Sequence, residues 1–142
     1  MAMTSMLMAG VVAGIAANLT GWLITGRLFH SFQASTPATW RAKEGTGHYT
    51  AAALLRIFAC IQIAFAFAAL NGAALLVGHG WAASGVLFGL LAWLALVLPV
   101  LLEIYVFVNW HRGMVTGLLL DWLVLCGLAG LSASWFLYRT AV

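Results

Sequence analysis

Four long apolar stretches, at about 6–27, 50–77, 82–108 and 114–138, take up most of this chain. Each is at least as long as the roughly 20 residues that carry an α-helix through a hydrocarbon core. In lipid, a backbone segment has to satisfy its own N–H and C=O groups, so runs of this kind fold as helices rather than loops or open sheets. Composition agrees. Of 142 residues, 65% are hydrophobic and 6% charged, against about a quarter charged in ordinary soluble domains. Such a chain cannot cover a surface in water. The expectation is an all-α fold: one polytopic membrane domain over residues 1–142, built as a four-transmembrane-helix bundle.

The first run has no Lys or Arg before it, unlike the basic start of a secretory signal, and reads as a retained helix. Gly10, Gly14, Ala17 and Gly21 recur along it at helical spacing, a small-residue stripe of the kind that lets two helix backbones approach closely. Asn18 lies beside that stripe. The connection at about 28–49 is the one polar segment of any length, with His30, Trp40, Arg41, Lys43, Glu44 and His48 around Pro37. Connections of that length are often functional or mobile. Gly78, His79 and Gly80 form the next turn. The third run exceeds a bilayer's thickness and holds Pro99, so tilt or a kink is expected.

Orientation follows from the basic residues. Arg27, Arg41, Lys43 and Arg112 lie on the side shared by the first and third connections, with Arg139 on the other. The positive-inside rule then puts the 28–49 loop in the cytoplasm and both termini outside.

Each run carries one member of a set of deep polar residues, Asn18, Arg56, Glu103 and Asp121, and the second also holds Gln62. At a rise of 1.5 Å per residue, Glu103 lies roughly 8 Å, Arg56 about 9 Å, Asp121 about 12 Å and Asn18 about 14 Å from the inner boundary. They share one slab. Gly85, Gly89, Ala92, Leu96, Pro99 and Glu103 are spaced alternately four and three apart, which puts them on one helix face and points Glu103 at other helices. One arginine then faces two acids. The acid not paired with Arg56 is expected to be protonated, hydrated, or held by another cation such as a snorkelling Arg27 or Arg112. Two readings follow: an ion pair that only fixes helix register, or a site for an ion, proton or small ligand formed by Arg56, Glu103, Asp121 and Asn18.

Other chemistry finds little support. Cys60 and Cys126 lie in apolar runs without a Cys-x-x-Cys motif, as packing thiols do. His30, His48, His111 and Glu44 collect on one side, but no metal-binding box joins them and solvated loop histidines are the plainer reading. No haem-type histidine, serine-hydrolase set or phosphate-cradling loop is present, so no cofactor and no metal are expected. The net charge of +3 is too small to suggest nucleic acid. The expected partners are the lipid bilayer and either a homo-oligomer or a larger membrane protein, met through Gly10, Gly14, Gly21, Gly85 and Gly89.

Gly21-Trp22 with Gly26-Arg27-Leu28-Phe29, the run from Gly85 through Trp93-Leu94 to Pro99, and Val106-Phe107 with its basic corner resemble small bacterial membrane proteins built on a four-helix domain of unknown function. That resemblance covers most of the chain and implies no activity. Four spans with a long first connection are also similar in topology to membrane glutathione transferases and related eicosanoid enzymes. Their second helix carries an Arg, Asn, Glu and Pro series of which this chain has only Arg56, which argues against an enzyme. The functional expectation is therefore transport-type, an ion, proton or small solute handled at the polar layer. The alternative is a non-catalytic accessory or assembly subunit, and a membrane-embedded enzyme comes third.

Overall fold

A computed structural model describes residues 2–39, 45–71 and 79–141. Helix α1 covers Ala2–Leu23 and runs into a π-helical turn, Ile24–Leu28. After short 3-10 turns at His30–Ser35 and Pro37–Thr39, α2 covers Thr46–Asn71. The third span is made of α3, Trp81–Ala92, a π-helical turn at Trp93–Val97, and α4, Leu98–Phe107. Helix α5, Arg112–Ala141, completes the chain. The fold is the expected all-α bundle, with four helical spans long and apolar enough to cross a membrane. Trp40, Arg41, Lys43 and Glu44, and the end of the second run at 72–77 with Gly78, lie outside the described residues.

The molecule is apolar on its outside as well as within. Leu19, Leu54, Leu55, Phe58, Val106 and Phe107 are all exposed, which suits a surface that meets lipid. The chain is an integral membrane protein. Its interior is built from small side chains in two layers. Ala13, Ala17, Cys60, Leu125, Cys126 and Ala129 pack together toward the end where α1 finishes. Met6, Ala9, Ala64, Phe67 and Ala133 pack nearer the other end, where Phe67 meets Phe88 edge-on at 5.2 Å. Both cysteines are free and fully buried in the first layer.

Helix α5 is the hub, packed against α1, α2 and α3, while α2 and α3 barely touch. Glycines set the close approaches. A Cβ on Gly14 would lie 2.6 Å from the Ile57 Cα of α2, and Gly10 meets Ile61 in the same way. A Cβ on Gly85 would lie 2.7 Å from the Gly130 carbonyl oxygen of α5, and one on Gly89 2.5 Å from that of Cys126. The expectation that Gly10, Gly14, Gly21, Gly85 and Gly89 meet another chain is therefore corrected. All five are buried inside this one, because small-residue notches serve neighbouring helices of the same bundle equally well.

The third span breaks where its sequence is weakest. Pro99 has no N–H to donate to the carbonyl of Ala95, so α-helical bonding cannot run through that turn. The chain widens at Trp93–Val97, and the N–H of Leu98 bonds the carbonyl of Trp93 five residues back. One inserted residue rotates all that follows by about 100°. Before the turn the buried residues are Ser84, Gly85 and Gly89. From Val97, the last residue of the turn, the partly covered residues are Val97, Leu98, Leu101, Ile104, Tyr105 and Val108, while Leu96, Pro99 and Glu103 are exposed.

The first connection folds back onto α5. The Phe29 and Phe32 rings fill the notches at Gly117 and Gly113. Phe32 also stacks on His111 at 4.7 Å and 6°, and the Thr39 hydroxyl donates to the Asn109 carbonyl. His111 is not a solvated loop residue: its Nδ1 accepts the N–H of Gly113 at the start of α5. His48 does the same for Gly45 ahead of α2. Each imidazole satisfies one N–H that a helix beginning leaves unbonded.

Gly89→Ala should lower the midpoint of thermal unfolding in detergent, by overpacking worth about 1–3 kcal/mol. Gly47→Ala, where a Cβ meets nothing within 4 Å, should leave that midpoint unchanged or raise it.

Candidate functional site

The centre of the polar layer is one ion pair. Arg56 projects from the middle of α2 and Asp121 from α5, and the guanidinium grips the carboxylate with both forks. Nη1 donates to Oδ2 and Nη2 to Oδ1, each at 2.7 Å. Nη2 also donates to the backbone carbonyl of Ala17 in α1 at 2.8 Å. The pair is deeply enclosed, with Asp121 at 1% and the Arg56 side chain at 15% exposure. The Trp122 ring lies 5.9 Å from the guanidinium. The one unsatisfied polar atom of the pair is Nε of Arg56, which is buried without a partner.

Local sequence explains the third contact. The Ala17 carbonyl belongs to the helical turn that ends at Gly21, where a side chain would stand over it. A Cβ on Gly21 would lie 2.6 Å from Nη2 of Arg56 and 3.1 Å from Oδ1 of Asp121. Glycine at this position therefore admits the guanidinium to α1. Asn18, the next residue after Ala17, donates to the Gly14 carbonyl at 2.9 Å and to that of Ala53 in α2 at 3.2 Å. Ala53 is nearly one turn from Arg56 along the same helix. Asn18, Arg56 and Asp121 thus converge, and they tie α1, α2 and α5 together at one level.

Glu103 does not join them. It is exposed on α4 and pairs with no hydrogen-bond or charged partner among the described residues. The expectation that it faces the other helices is corrected, and the cause is the π-helical turn: the four-and-three spacing describes one face only in a helix without an inserted residue. The basic residues expected to snorkel toward it do not reach it either. Arg27 lies over its own neighbour Trp22 at 4.9 Å, and Arg112 is exposed at the start of α5. The layer therefore divides into a closed pair inside the bundle and a lone carboxylate outside it.

Sequence reasoning missed two participants. Ala17 takes part through its carbonyl, which no residue-type pattern can signal, although Gly21 four residues on is the trace of it. Trp93 donates its indole N–H to the Leu119 carbonyl at 3.0 Å, anchoring the π-helical turn to α5. Gln62 lies exposed in a groove between α2 and α3. Among the described residues no three His, Cys, Asp or Glu side chains gather as a metal would require. No family model, curated protein or solved structure matches the chain.

The chemistry of the pair is that of a closed contact. Both carboxylate oxygens and both terminal guanidinium nitrogens are engaged, and removing one partner would leave an uncompensated charge in a low-dielectric interior. Arg56→Leu and Asp121→Leu should each destabilise the bundle by about 3–5 kcal/mol. The double Leu variant should lose much less than the sum of the two, read by unfolding in mixed micelles. Arg56→Lys should also weaken the fold, because a single ammonium cannot span the carboxylate and the Ala17 carbonyl with a planar fork.

Proposed function

We propose that this integral membrane protein is a non-catalytic accessory or assembly component, and that its polar layer is a clamp rather than a pathway. The observation carrying this reading is the double hydrogen bond between Arg56 and Asp121, closed on its third side by the Ala17 carbonyl. A carboxylate that carries protons or cations has to release and rebind them, whereas this one is held by a permanent cation at 1% exposure. The polar side chains left over, Gln62 and Glu103, face outward, toward whatever adjoins the bundle in the membrane. We also read the end bearing Arg27 and Arg112 as cytoplasmic, on the positive-inside rule.

The transport reading makes the opposite prediction for the same residues. In proteoliposomes, wild-type protein should give proton and monovalent-cation flux no greater than empty vesicles, and Glu103→Gln and Asp121→Asn should not alter it. Flux above that background, abolished by either substitution, would refute the assembly role and reinstate an ion or solute site at the polar layer.

A further inference from the structure

Helices α2 and α3 stand apart over much of their length, and the gap between them is a groove of about 540 Å³ with Trp122 of α5 at its floor. Its walls carry Ala59 and Ala66 from α2 and Ala92 and Ala95 from the third span, with Gln62 the one amide side chain among the lining residues. Gln62 is exposed, and among the described residues nothing bonds its amide. Gln62 lies twelve residues into the second apolar run, which begins at about 50, roughly 18 Å from its inner end. That is near the middle of a hydrocarbon core about 30 Å thick. An amide at that depth has two donor hydrogens and an acceptor oxygen with nothing to satisfy them in lipid.

We propose that a second copy of this chain docks on the α2–α3 groove, with the Gln62 amides of the two copies hydrogen-bonded to each other across a twofold axis. The inference rests on the assembly reading above and names its partner. Three considerations select a second copy. Acyl chains would fill the groove but offer the amide no hydrogen bond. An amide is donor and acceptor at once, so its own image at the same depth satisfies it, and a twofold axis normal to the membrane brings equal depths together. Glu103, the other outward polar group, lies on α4 and is not among the groove's lining residues, so the axis passes nearer to Gln62. Ala59 and Ala66, three residues before and four after Gln62, lie on the same side of α2. Small side chains there let the two backbones come close enough for the amides to meet, as polar residues between membrane helices do.

The test is energy transfer between donor- and acceptor-tagged full-length chains in proteoliposomes, measured as lipid dilutes the protein. Wild type should show transfer that survives dilution beyond chance co-occupancy. Gln62→Leu should remove most of it while unfolding at the same temperature as wild type, since leucine suits a lipid-facing position. Gln62→Asn should retain part of it. As a second readout, Ala66→Cys should form a disulfide-linked dimer on oxidation in the membrane. Wild-type transfer at the chance level, transfer untouched by Gln62→Leu, or transfer lost with Glu103→Gln instead would each overturn the proposal. The last would place the contact between copies on α4 instead. A monomer without flux overturns self-docking and leaves the assembly role standing, whereas flux overturns the assembly role whatever the oligomeric state.

Discussion

A guanidinium and a carboxylate can enter a lipid-facing bundle only as a pair. Taken separately, each would have several kcal/mol of desolvation to offset, and Arg56 cannot shed its charge as an acid can. Much else in the centre of this molecule accommodates that pair. Gly21 gives up a side chain so that the guanidinium reaches α1, and Ala17 supplies a carbonyl. Asn18 bridges α1 and α2 beside it. Three helices distant in sequence are thereby fixed at one level. Shape alone would not do this, since the surrounding core of alanine, cysteine and glycine offers many nearly equivalent registers. A pair of this kind adds little net stability over a well-packed apolar core; its contribution is to make one register far better than its neighbours.

The third span is organised by a different constraint. Proline removes one hydrogen bond, the helix answers with a π-helical turn, and the inward face shifts by one residue. Trp93 holds that turn to α5 through its indole N–H. One result is that Glu103 faces away from the pair. Before the turn, α3 follows α5 through its glycine notches and barely touches α2, which leaves the groove containing Gln62. The closed pair and the open groove thus have separate origins, one in charge and one in backbone geometry. They divide the work between holding the bundle together and giving it a surface.

The architecture was legible because hydropathy over 20 residues is a strong signal and lipid permits little besides helices. Close-packing faces were legible too, since glycines at intervals of three and four can hardly mean anything else in a span. What those faces pack against was not. In a bilayer, a helix of the same chain and a helix of another present the same chemistry, so Gly10 and Gly85 could not declare their partners. Counting one central arginine against two acids posed the right question about the site, but spacing alone could not say which acid pairs with Arg56. The facing of Glu103 was misread because helical periodicity was carried straight through Pro99, although the proline was itself the warning. His111 and His48 looked like loop histidines, since an imidazole that bonds a helix start has no sequence motif of its own.

The centre of the bundle depends on Arg56 choosing Asp121 over Glu103. Asp121 is the single aspartate in the sequence, so ¹³C-labelled aspartate marks one carboxyl group. Solid-state NMR dipolar recoupling in lipid bilayers can then measure its distance from the ¹⁵N-labelled guanidinium of Arg56, with labelled glutamate as the comparison. Strong coupling of both terminal nitrogens to the aspartate carboxyl is predicted, with none to glutamate, matching two contacts of 2.7 Å. Coupling of Arg56 to a glutamate carboxyl, or to neither acid, would contradict it.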